Sequence, residues 1–150
     1  MSAIRFQTGH VGINVTDLDR SLDFYRAVFG FETVGRSDDP GRRYAFLAQE
    51  GELVLTLWEQ GDGRFAKDRP GLHHLSFQVD SVEQVEAVQA RADAAGSKIH
   101  HGGVVAHQEG AASGGLFFED PDGVRLEVFT GQLADGAVAP TPGAPTCGFF

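Results

Sequence analysis

The sequence predicts an α+β fold of two βαβββ modules, with helices outside and strands curving around a central cavity. The first observation behind this is an internal repeat. HLSFQVDSVEQVEAV, beginning at His74, lies over HVGINVTDLDRSLDF, beginning at His10. Each copy opens on a His, carries apolar residues at its fourth and sixth positions and runs into a capped amphipathic helix. A repeat of this length means two similar supersecondary units that pair around a shared surface. The second observation is element order. Each half reads as a strand, a helix and three further strands.

In the first half, apolar residues alternate with small or polar ones from Val11 to Val15, the period of a half-buried strand. Asp17 stands as an N-cap. Leu18, Leu22, Tyr25 and Phe29 then recur at helical spacing, and Gly30 stands where a glycine stops a helix. Strands follow at about residues 31–37, 42–49 and 52–59, separated by the turn signals DDPG and EG. The polar stretch from Gly61 to Gly71 reads as the link between modules at about 8–60 and 72–130.

In the second half, Ser81 and Gln84 make a capping box, and Val82, Val85, Val88, Ala92 and Ala95 form the apolar helix face, closed by Gly96. Strands are expected near 97–101, 114–119 and 124–130, the last two joined by EDPDG. The domain thus closes at about residue 130. Residues 131–150 turn to Ala, Pro, Thr and Gly, an irregular tail that Phe149 and Phe150 could anchor on the body or on a partner subunit.

Composition narrows the function. With 150 residues, 41% of them hydrophobic, the chain can bury one real core. No apolar run reaches the roughly 20 residues of a membrane span, and the start lacks a secretory signal, so a cytoplasmic protein with no membrane partner is expected. The only cysteine, Cys147, precludes an internal disulfide and a thiolate cluster. A net charge of -9 with no basic stripe argues against nucleic acid as a partner.

His10 and His74 occupy the same place in the two repeats, on the side opposite the apolar set of each strand, and are expected to face one cavity. Glu127 lies in VRLEVF, where Arg125, Glu127 and Phe129 share a face. A carboxylate in an otherwise apolar strand is costly to bury unless paired, and a metal ion would satisfy it. A lone strand histidine is more often structural than a ligand. Two at equivalent positions plus a strand-borne Glu instead match a facial triad suited to Fe(II), Mn(II), Zn(II) or Ni(II).

HVGINVTDLDRSLDFYRAVFGFE, GLHHLSFQVD and FFEDPDGVRLEVF resemble, in order, the three signature regions of the vicinal-oxygen-chelate superfamily, which holds glyoxalases, bleomycin-resistance proteins and extradiol dioxygenases. The resemblance covers about residues 8–130. It implies the two-module fold around a metal-binding cavity, with His10, His74 and Glu127 as metal ligands, and assigns His74 rather than His73 to the site. It also implies a homodimer, as in many such proteins.

A fourth ligand is frequent in that superfamily on the last strand of the first module. Overlaying LVLTLW on VRLEVF puts Thr56 there, a poor ligand, which argues against the glyoxalase I and methylmalonyl epimerase patterns. Vacant coordination positions would accept a small substrate chelating through two neighbouring oxygens. Ring-cleaving dioxygenase chemistry is slightly favoured, although Phe117 stands where those enzymes carry a Tyr; His107 could supply the acid–base imidazole from the preceding loop. Transferase chemistry of the fosfomycin type weakens because Gly12 replaces its Thr and the loop EGAASGG lacks a Lys. The resemblance also admits glyoxalase-type isomerase or lyase chemistry and non-catalytic binding of a drug or natural product.

Asn14, Gln78 and Arg125 are expected to orient a polar substrate, Trp58 to stack on a flat one, and Thr56 and Phe117 to line the wall. His100 and His101 read as solvated loop residues, and the glycines of GAASGG as hinges of a loop that covers the site.

Overall fold

Each half of the repeat becomes one four-stranded sheet with one helix in the computed structural model, which describes residues 2–150. The first unit, ending at Gly63, holds β1 (Val11–Asn14), α1 (Leu18–Phe29), β2 (Glu32–Ser37), β3 (Tyr44–Gln49) and β4 (Glu52–Trp58). Its strand order is β1-β4-β3-β2, with β1 parallel to β4 and the other pairs antiparallel. The second unit, Arg64–Phe150, holds β5 (Leu75–Gln78), α2 (Val82–Ala94), β6 (Val105–Ala106), β7 (Gly114–Glu119) and β8 (Arg125–Thr130). Its order, β5-β8-β7-β6, repeats the first.

The repeat extends to register. Gly12 pairs with Thr56 across β1 and β4, and Ser76 pairs with Glu127 across β5 and β8. On the next strand, Phe46 faces Thr56 and Phe117 faces Glu127. Thr56 and Glu127 are therefore equivalent positions, as the overlay of the two strand sequences expects.

The helices start and stop where their termini are satisfied. Asp17 is extended and its carboxylate accepts from Arg20 N, Glu59 accepts from Leu18 N at 2.8 Å, and Gly30 closes the helix at φ 72° with its N–H on Arg26 O. Ser81 Oγ accepts from Gln84 N, while Gln84 reaches back to Asp80 N rather than to Ser81, a capping box displaced by one residue. α1 packs on β3 and β4, and α2 on β7 and β8. Val85, Val88 and Ala92 are buried, whereas Ala95 is the exposed C-cap residue.

Two expectations need correction. The segment at 97–101 makes only an isolated bridge, Ile99 to Phe118; His101, Gly102 and Gly103 all take positive φ and turn the chain out of the ladder, so pairing resumes only at β6. The two glycines ending GAASGG are not loop hinges but the first residues of β7. A Cβ on Gly115 would sit 2.2 Å from Val128 O, and one on Gly114 2.3 Å from Val105 O, so close backbone approach requires glycine.

The tail is mostly irregular but anchored on the second unit. Leu133 is buried, Ala106 N donates to Val138 O, and a short 3-10 turn (Thr146–Gly148) is fixed by Thr146, whose N donates to His107 O at 2.7 Å and whose Oγ1 donates to Ala106 O at 2.6 Å. No helix of the described residues is long and apolar enough to cross a membrane.

Candidate metal centre

Glu127 lies at the middle of β8 with Ser76 on one side and Phe117 on the other. It is 4% exposed, yet both carboxylate oxygens are engaged. His74 Nε2 lies 3.2 Å from Oε1 and His107 Nε2 lies 2.7 Å from Oε2. His74 stands one residue before β5, and His107 one residue after β6. The loop that follows His107 folds back so that His107 N donates to Ser113 O and Ser113 Oγ lies 2.8 Å from His107 Nδ1.

An ionised carboxylate only accepts, so each Nε2 carries the proton directed at Glu127. A neutral His107 protonated on Nε2 satisfies both of its contacts, with Ser113 Oγ–H donating to Nδ1. His74 does the same through His73, whose Nδ1 lies 2.8 Å from its own Nδ1. Moving the His74 proton to Nδ1, still shared with His73, turns the Nε2 lone pair toward Glu127, as a cation would require. Burial pushes the Glu127 carboxyl upward, but the hydrogen bonds it accepts from His107 and His74 outweigh it and hold it at about 2. The carboxylate is thus anionic and prepared for a positive partner.

A third donor comes from a residue the sequence offered only as a lone thiol. His74, Glu127 and Cys147 each present a ligand atom, all within 4.8 Å of one another. Burial, and then the negative charge of Glu127, push the Cys147 thiol up. Nothing in the spacing of Cys147 pointed here; only the terminal Phe pair signalled that the tail could dock. Phe150 does dock, its ring 4.8 Å from Phe117, 5.4 Å from His100 and 5.7 Å from His74, while Phe149 remains exposed.

The other expected site residues fall as follows. His10 belongs to the first unit, exposed just before β1, at the register position His74 holds before β5. Asn14 and Gln78 are exposed at the ends of β1 and β5. Thr56 is buried and its Oγ1 accepts from Trp58 Nε1 at 2.9 Å. Trp58 joins Tyr44 and Phe46 in an aromatic cluster beside a hollow of about 220 Å³ whose lining includes Arg42 and Arg43. Phe117 is fully buried beneath Phe150. Arg125 is buried too, its Nε donating to His73 O and its Nη1 to Phe150 O. With the tail docked, neither of these two offers much free surface to a substrate. His100 is not a solvated loop residue: its Nε2 lies 2.7 Å from buried Glu119, while His101 is exposed.

Comparison with known proteins agrees with the fold. Residues 7–128 match the model of the Glyoxalase/Bleomycin resistance protein/Dioxygenase superfamily. The chain is 28% identical over 124 residues to catechol-2,3-dioxygenase of Bacillus subtilis, aligning 81% of its own length but only 40% of that protein's. It is 32% identical over 130 residues to lactoylglutathione lyase of Haemophilus influenzae, 79% of this chain and 87% of the lyase. Among solved structures, a domain of the same superfamily from Frankia superposes with a TM-score of 0.71 at 26% identity, covering 86% of this chain and all of that one. A variant of the fosfomycin resistance protein FosX from Listeria monocytogenes, solved with Mn(II) and a dihydroxypropylphosphonic acid, shares the fold with a TM-score of 0.62 at 23% identity, over 85% of this chain and 93% of its own. By the family match, the two shared registers and the repeated modules, the chain belongs to the glyoxalase/bleomycin resistance protein/dioxygenase superfamily.

Proposed function

We propose that the chain is a divalent-metal-dependent enzyme acting on a small molecule that chelates through neighbouring oxygens, with dioxygenase-like chemistry ahead of glyoxalase-type lyase or isomerase chemistry. The observation that carries this reading is Glu127, a buried carboxylate held anionic between two imidazoles. Such a group costs several kcal/mol to keep charged in an apolar strand, and a cation offsets that cost. His74 and Glu127 serve as ligands, with His10 as the further ligand the resemblance supplies; Fe, Mn, Zn and Ni all suit such a set.

The chemistry a bound ion supplies is Lewis-acid polarisation of the chelated oxygens. The chain's own groups do the rest. His107 holds a proton at Nε2, oriented by Ser113, and is the candidate acid–base residue. Phe117 and Phe129 flank it and keep water from the carboxylate. The name of the Bacillus relative supports the dioxygenase reading. The Haemophilus relative, which aligns over 87% of its own length, supports lyase chemistry.

Metal analysis of protein purified without chelator, coupled to oxygen uptake on a panel of catechols and hydroxyketones, separates these readings. Stoichiometric iron with oxygen consumption supports the dioxygenase; turnover without oxygen supports the lyase or isomerase. A metal-free protein that binds an aromatic drug tightly sinks both in favour of sequestration. Glu127→Ala is expected to abolish metal retention while the fold persists, and full occupancy in that variant would remove Glu127 from the ligand set.

A further inference from the structure

Outside the ligand set that the superfamily resemblance supplies, and besides His107, the Cys147 sulfur lies near the same carboxylate. We propose that Cys147 is itself a metal ligand, its thiolate completing a His74–Glu127–Cys147 donor set that selects a thiophilic, borderline-soft ion over hard Mg(II) or Mn(II). The proposal rests on the metal-dependent reading above and adds to it the identity of one ligand and the class of ion.

Three arguments carry it. The first is convergence. The donors come from separate places, the residue before β5, the centre of β8 and the 3-10 turn of the tail, and their ligand atoms lie within 4.8 Å of one another. Donors around a tetrahedral ion stand roughly 3–4 Å apart, given bonds of about 2.0–2.3 Å, so contraction by about an ångström forms the site. The second is fixation. Thr146, the residue before the thiol, is fully buried and tied by two short hydrogen bonds to Ala106 and His107, and Phe150 packs on His74. A sulfur held from both sides does not sweep solvent as a free tail thiol does. The third is chemical class. Thiolate with imidazole favours Zn(II), Co(II) or Fe(II), whereas hard ions prefer all-oxygen surroundings. On coordination the S–H bond breaks, the proton leaves to solvent and the sulfur lone pair forms the bond to the ion, so no oxidant or reductant is involved.

The test is Co(II) titration of the full-length reduced protein, read by absorption. Wild type is expected to show visible d–d bands together with a near-ultraviolet sulfur-to-cobalt charge-transfer band. Cys147→Ser and Cys147→Ala are expected to keep the d–d bands and lose the charge-transfer band. Because Cys147 is the only cysteine in the chain, alkylation reads it alone: Zn(II) is expected to slow iodoacetamide labelling of wild type and to leave labelling of Glu127→Gln unchanged. Bound Co(II) without the charge-transfer band overturns the Cys147 assignment and leaves the metal-dependent reading standing. No Co(II) binding at all overturns both.

Discussion

The second sheet holds two buried glutamates with imidazole partners, and only one of them is assigned to a metal. Replacing the other, Glu119, by Ala tests whether burial beside a histidine is by itself enough to make a centre. Glu119 gathers His100 Nε2 at 2.7 Å, Lys67 Nζ at 3.2 Å, Arg64 Nη2 at 3.5 Å and Lys98 Nζ at 3.6 Å. The His100 side chain is 14% exposed, so its contact is a shielded, charge-assisted hydrogen bond of about 1.5–3 kcal/mol. Lys67 is 40% exposed and adds at most about 1 kcal/mol; Arg64 and Lys98, both 69% exposed, add close to nothing. The expected loss is about 2–4 kcal/mol, or roughly 5–15 °C in Tm for a domain of this size. Urea unfolding followed by circular dichroism reads the loss, and metal analysis of the same preparation reads the site. Glu119→Ala is expected to be destabilised with its metal content unchanged. A loss below about 0.5 kcal/mol would show that the cations do not hold the carboxylate, and a parallel fall in bound metal would show that the two glutamates belong to one site.

Two further outcomes follow from the geometry. The Glu127 carboxyl titrates from 4.5 in the unfolded chain to about 2 when folded, so the unfolded state takes up the proton first. Its contribution to stability is complete above about pH 4.5 and is lost as pH falls toward about 2; denaturation of the metal-free protein across that window is expected to be less acid-sensitive in Glu127→Gln, and identical pH slopes would refute the assignment. A Cβ on Gly12 would lie 3.0 Å from Thr56 Oγ1 and 3.3 Å from Trp58 Nε1, so Gly12→Val is expected to displace the indole and shift the emission of the chain's only tryptophan, while an unchanged spectrum would mean the strand yields instead.

Much of the fold is legible in the sequence because it rests on local periodicity. The caps at Asp17, Gly30 and Ser81 each satisfy backbone groups within a few residues, and the repeat establishes the equivalence of Thr56 and Glu127 without knowledge of pairing. The strand expected at 97–101 does not form because positive φ at three successive residues, one of them His101, leaves no trace in hydrophobic alternation. Glu127 and His74 are readable as a pair because a strand-borne carboxylate needs a partner. Cys147 is not, since its place depends on how the tail crosses the sheet and is set by Thr146 and Phe150, neither of which has a periodic neighbour. The place of His100 is hidden for the same reason: its partner Glu119 lies 19 residues away, at the end of β7.

The common register of the two sheets means that a buried charged residue and a neutral one can occupy matching seats without altering the strand pairing around them. Where Glu127 needs imidazoles, Thr56 turns its hydroxyl to an indole, and the strand beneath is drawn alike in both. One copy carries a neutral, hydrogen-bonded hydroxyl and the other a buried charge at the same seat, so the frame is indifferent to which of the two side chains is laid on it.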